Sequence, residues 1–178
     1  MKRSDKFVEW LKDWFVYESM TGKDGQLKLY RFYPLITRRF VINVIYWEYD
    51  GGFHNHLWPF SSIILYGGYK EHFNDGSSKI RRALSIGRMK KDDFHTVELL
   101  EDKSISIMIR GKQVRPFIQY NINGSVINEV RYWKDRGYTR HDMLDGMQGH
   151  LPRKWRMPKL LVKIVDKHRN PLDREKYR

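Results

Sequence analysis

Cysteine is absent from this 178-residue chain, which excludes disulfides, thiolate metal ligands and a cysteine nucleophile. Any metal must therefore be held by nitrogen and oxygen. No run of about 18 or more apolar residues occurs. Met1-Lys2-Arg3-Ser4-Asp5-Lys6 leads into an amphipathic pattern rather than the apolar core of a signal peptide. A cytoplasmic protein without a membrane partner is the expectation. There is no Gly-x-Ser-x-Gly to support serine nucleophilic chemistry, and Gly67-Gly68 is too short to cradle a phosphate.

What is present can fill a core. Hydrophobic residues make up 40% and aromatics 15%, with six Trp and eleven Tyr, a composition suited to a barrel or sandwich and unlike that of a disordered chain. The length fits one domain with appendages. The net charge of +13 is unevenly spread: residues 152–178 hold ten Lys or Arg against three Asp or Glu, more than half of the excess. The basic character therefore belongs mainly to a C-terminal appendage, whose expected partner is nucleic acid or an acidic protein.

Ser4 stands where a helix cap is needed, and Phe7, Leu11, Trp14, Phe15 and Glu18 step at three and four residues, predicting an amphipathic helix to about Met20. Beyond the Thr21–Gly25 turn the chain reads as short strands: Leu27–Tyr33, Phe40–Glu48, Ser61–Tyr66, Tyr69–Asn74, Ile80–Ile86, Thr96–Leu100, Ile105–Arg110 and Phe117–Asn121. Turn residues such as Asp50-Gly51-Gly52, Asn74-Asp75-Gly76 and Asn123-Gly124 separate them. About eight strands at this spacing predict an all-β sandwich or barrel. From Glu129 alternation is lost; a short helix is expected around His141–Met147, and another in the tail from Leu160, Leu161, Ile164 and Val165. The predicted division is 1–26 for the helix and turn, 27–135 for the β domain and 136–178 for the basic, partly helical extension.

Two histidines in Gly51-Gly52-Phe53-His54-Asn55-His56 carry the chemistry. In an extended strand positions i and i+2 share a face, so His54 and His56 can grip one ion. Imidazole suits Fe, Zn, Cu, Ni and Mn, and such a pair normally recruits a third ligand. His95, opening the strand His95-Thr96-Val97-Glu98-Leu99, is the choice among the remaining five histidines. Glu98 is a candidate partner for its ring, although strand parity puts it on the opposite face. Trp47, Tyr46, Tyr66 and Tyr69 are expected to line a pocket mouth, and Arg81, Arg82, Arg88 or Arg110 to bind an acidic substrate. Trp47, Tyr69 and Arg82 are the substrate-binding choices.

With the histidines in place, the chain resembles the cupins, double-stranded β-helix jelly rolls whose first motif is a glycine followed by His-x-His and whose second is a glycine followed by one histidine. Gly51 and Gly52 with His54 and His56 match the first; Gly87 through His95 approximates the second. More narrowly, His54 through Glu71 is similar to a group of small, largely uncharacterised bacterial and phage cupins carrying His-x-His, Trp, Phe, Ser, then Leu-x-Gly-x-Tyr-x-Glu. The resemblance covers roughly residues 27 to 135. It implies a metal-dependent enzyme, an oxygenase or a Lewis-acid isomerase or hydrolase, acting on a small polar substrate. Fe(II) is the expected ion, with Zn, Mn or Ni as alternatives. The usual glutamate ligand after the second histidine is missing, since Trp58, Pro59, Phe60 and Ser61 stand there, and Glu71 is the nearest candidate for a fourth ligand or catalytic base. The rival reading is a non-catalytic cupin-fold binding or structural module, phage-encoded and working through its tail. Pairing of two copies as a homodimer is open.

Overall fold

In the computed structural model the described residues are 2–21, 26–34, 39–46, 52–115, 118–128, 131, 135 and 147–150. Trp47 and the basic residues 152–178 lie outside them, as do the helices expected at His141–Met147, apart from Met147, and in the tail.

The chain opens with helix α1 (Arg3–Trp14), shorter than expected, and residues 16–21 form strand β1 (Val16–Thr21) instead. The helical spacing continues past Trp14, but the β-branched and aromatic Val16 and Tyr17 gain a full ladder of partners in a sheet, and tertiary pairing overrides local periodicity. Ser4 is not the cap. Lys2 is, its backbone N–H donating to Asp5 Oδ2 at 3.2 Å. The buried stripe is Ser4, Val8 and Leu11, with the expected Phe7 and Phe15 packed partly buried against it, while Trp10 and the expected Trp14 are exposed.

Twelve further strands follow: β2 (Leu27–Tyr33), β3 (Phe40–Ile45), β4 (Phe53–His54), β5 (Phe60–Tyr66), β6 (Gly68–Phe73), β7 (Ser78–Arg82), β8 (Ile86–Met89), β9 (His95–Leu99), β10 (Ser104–Arg110), β11 (Gln119–Ile122), β12 (Ser125–Asn128) and β13 (Met147–His150). Two sheets form, ordered β13-β1-β2-β3-β10-β5-β8 and β12-β11-β4-β9-β6-β7. Their pairings are antiparallel. Counting β3 to β10 as eight successive strands, the first sheet contains them as first, eighth, third, sixth and the second as second, seventh, fourth, fifth. This is the strand order of a double-stranded β-helix, the jelly roll expected from the sequence. The flanking strands widen both sheets.

Alternation along the strands of the first sheet gives it two different faces. Phe32, Val44 and Ile105 close over Val8 and Leu11, so α1 packs on the outer face. Tyr46 and Tyr66 pack against that cluster, on the face that α1 covers. The opposite face, turned toward the second sheet, mixes Val41 and Ile64 with buried Asn43, Ser62, Ser106 and Arg110. A polar interior of this kind costs stability unless its groups are paired or used.

Lys103, its side chain 3% exposed, holds the helix by an ion pair to Asp5. That contact keeps the Asp5 carboxyl below its ordinary range, chiefly through the hydrogen bond from Lys103. A carboxyl whose folded-state value is depressed stabilises the fold above its unfolded value near 4, and the contribution disappears as pH falls through the folded value. Asp5→Asn is therefore expected to lower Tm at pH 7, and the gap between variant and parent to close on acidification toward pH 3. A gap independent of pH in thermal melts would show that the pair does not set the docking of α1.

Candidate metal centre

Strand β4 is only two residues long, wedged between β11 and β9, so that His54 lies opposite Tyr120 on one side and His95 on the other. The chain then leaves the ladder, and Asn55 fixes its path. Asn55 is fully buried and grips Gln119 three times: backbone N–H to Gln119 O at 3.0 Å, Nδ2 to Gln119 Oε1 at 2.9 Å, and Oδ1 accepting from Gln119 N at 3.0 Å. With Asn55 turned to β11, His54 and His56 turn the other way.

The three imidazoles meet. Ring centroids are 5.1 Å apart for His54 and His56, 5.0 Å for His54 and His95, and 5.0 Å for His56 and His95. One nitrogen of each lies within 4.8 Å of the others, and His56 Nε2 is 2.8 Å from His95 Nε2. The outer nitrogens fix the tautomers. His95 Nδ1 lies 2.8 Å from Glu71 Oε1, and an ionised carboxylate can only accept, so the proton sits on Nδ1 and Nε2 presents a lone pair. His54 Nδ1 faces the Gly52 carbonyl at 3.3 Å, which assigns its proton in the same way.

Burial reinforces the neutral state that can ligate. His54 is pushed down to about 3, first by burial and then by His95. His56 is held well below its ordinary value by burial, by its two histidine neighbours and by the Arg31 and Arg110 cations. For Glu71, burial works to raise the value, but the hydrogen bond from His95 and the Arg81 guanidinium together outweigh it, and the net shift is downward. Arg81 Nε donates to Glu71 Oε2 at 3.0 Å. Both Glu71 oxygens are thus engaged.

The donor set fits a divalent metal. At the roughly 2.0–2.1 Å bonds of imidazole to zinc, ligands of one ion lie no more than about 4.2 Å apart. The widest pair need close by only about 0.6 Å, a small ring rotation. A hydrogen-bonded outer nitrogen on a ligating histidine is the support such ligands normally have.

The other predicted residues divide. Tyr69 is buried, with its hydroxyl on Ser62 and its pKa pushed up to about 12, first by burial and then by Glu71. Arg82 is exposed, on the strand face opposite Arg81, and the structure does not bring it to the histidines. Trp47 lies outside the described residues. Glu98 pairs with His72 at 3.0 Å on the solvent side, as parity required. Sequence reasoning missed Asn55, and it also missed Phe60, whose ring meets His56 edge-on at 4.8 Å between centroids. A small amide between two histidines was the available sign of the first.

No family model matches this sequence, and no curated protein does. Solved structures that are similar in shape include Fe(II) HppE, at 8% identity and TM-score 0.45, covering 53% of this chain and 55% of that one. A Drosophila melanogaster CENP-C cupin domain is similar at 12% identity and TM-score 0.43, covering 61% and 95%. A putative mannose-6-phosphate isomerase from Ralstonia eutropha gives 9% identity and TM-score 0.37, covering 53% and 81%. Among the described residues no helix is long and apolar enough to cross a membrane. By its own strand order, then, this chain has the cupin fold, and between its sheets it assembles three histidines that can hold a metal ion.

Proposed function

We propose that this chain is a metal-dependent enzyme of the cupin kind, an oxygenase or a Lewis-acid isomerase or hydrolase acting on a small polar molecule, with Fe(II) as the expected ion. The observation that carries the reading is the convergence of His54, His56 and His95, two of them with tautomers fixed so that Nε2 faces the common point. Three neutral ligands leave the full charge of a divalent ion uncompensated, so a bound ion would supply a Lewis acid with positions open to substrate and water or oxygen.

Within this reading Glu71 is a positioning residue. It keeps the proton on His95 Nδ1 and is itself held by Arg81, each contact taking one of its two oxygens. Tyr69 would wall the site beside it.

The test is metal analysis on protein purified without a histidine tag, after anaerobic exposure to Fe(II) and, separately, Zn, Mn and Ni. About one ion per chain is expected, with an anomalous-scattering peak at the triad. Protein that stays metal-free under all four conditions would overturn the proposal.

A further inference from the structure

Arg110 is the charged group of the polar interior formed by Asn43, Ser62, Ser106 and Arg110. It ends β10, directly opposite Phe60, the residue whose ring covers His56. Its side chain is buried, with only 8% of the residue exposed, yet among the described residues no ion pair includes it and its Nε–H meets no acceptor. The guanidinium lies over the Trp58 ring at 4.2 Å, and that indole N–H is likewise buried without a partner. The Tyr33 side chain also meets the guanidinium, and its hydroxyl donates onward to Glu18 Oε2 at 2.7 Å. Burial pushes the guanidinium down to about 10, still charged at neutral pH.

A buried cation with an open donor is expensive. An orphaned buried donor costs roughly 1–3 kcal/mol, and more when it is charged. The arrangement is therefore built for something that brings an acceptor. Arg110 also lines an open cleft of about 820 Å³, large enough for a metabolite. Six cations, Lys79, Arg81, Arg88, Lys90, Lys91 and Arg110, line it against two acidic residues. Such a funnel raises the local concentration of anions. Phe60 lines the same cleft and packs its ring edge-on against His56, so one side chain stands between the cleft and the histidine centre.

We infer that Arg110 is the substrate anchor: its Nε edge takes the oxyanion head, carboxylate or phosphate, of a small acidic substrate that enters by the basic cleft and extends past Phe60 toward His54, His56 and His95. The inference deepens the proposed function and rests on it for the role of the triad, but the anion site stands on Arg110 alone. The Trp58 ring holds the planar guanidinium from one side and Tyr33 from another.

Titration calorimetry of the full chain with succinate, inorganic phosphate and the neutral succinamide tests it. Binding of at least one anion, and no binding of succinamide, is expected. Arg110→Met should weaken that binding at least tenfold while keeping metal content, and should keep or raise Tm, because an apolar residue of similar length relieves a buried charge. Arg110→Lys, which keeps the charge but loses the fork, should also weaken it about tenfold, and decides the matter if the methionine variant does not fold. Lys6→Gln, exposed on α1 and outside the lining of the cleft, should change it less than threefold. Anion binding should survive in His54→Ala, which separates this inference from the metal reading. Equal affinity in parent and Arg110 variants, or no binding of either anion by the parent at millimolar concentration, would overturn it.

Discussion

His54→Ala and His95→Ala are each expected to take bound metal from about one ion per chain to background, while Glu71→Gln keeps the ion but binds it roughly 10–100-fold more weakly. The two alanine changes remove a lone pair from a set of three, leaving too few ligands to compete with water. Glu71→Gln is different in kind. Its side chain has the same shape and can still accept from His95 Nδ1, but the charge that strengthens that bond and pairs with Arg81 at 3.0 Å is gone. The ring is then less strongly oriented and its Nε2 less basic, so affinity falls without loss of the fold. Competition against a fluorescent chelator measures all three. Affinity within twofold of the parent in Glu71→Gln would show that the carboxylate does not orient His95, and the alanine variants would still report on the triad itself.

The triad was legible because the physics behind it is local. His54 and His56 share a face at i and i+2, and a long β-like sequence on either side makes the pattern meaningful. His95 was legible as the start of a strand with the right polarity. Glu71 was visible as a carboxylate one strand away, but its partner was not, because register decides whether a group reaches the next strand's histidine, and register is a property of the sheet. Arg110 was one of four arginines considered for an acidic substrate, and what the sequence could not supply was its burial. Ser104, Ser106, Met108 and Arg110 alternate with the β10 residues on the other face, where Ile105 packs against the α1 cluster, and only the cover that α1 gives that face turns them inward.

Boundaries failed where tertiary structure overrode pattern. The expected strand Ile80–Ile86 is two strands in opposite sheets, β7 and β8, broken at Ala83-Leu84-Ser85 without a glycine or proline. Leu84 takes a positive φ of 68°. What holds it is bonding from outside the segment: Leu84 N–H to Ile64 O at 2.8 Å and Ile64 N–H to Ser85 O at 3.1 Å. A leucine in that conformation is strained, and no propensity scale announces it. The capping Ser85 Oγ, accepting from Arg82 N at 2.9 Å, was the available hint.

Gly67→Ala is expected to be the most destabilising single-methyl change in the described residues, by about 4 kcal/mol, or a fall in Tm of about 10 °C. Gly67 is the hinge by which β5 in one sheet hands over to β6 in the other, and its φ is +65°, where an L side chain pays roughly 1–2 kcal/mol. A second cost comes from space. The added Cβ would sit inside the van der Waals surface of the Lys103 carbonyl oxygen, a backbone atom at the entrance of β10 that cannot swing aside. Relief requires moving β5, β10 or the hinge, and those strands are paired through most of their length. Gly76→Ala separates the two costs: its φ is +84°, but its Cβ would meet nothing within 4 Å, so only the conformational part of about 1–2 kcal/mol should appear. Denaturant melts of the two variants measure the difference directly. Equal losses would mean that the close approach of the hinge to Lys103 does not constrain the crossover, and that the left-handed backbone alone demands glycine there.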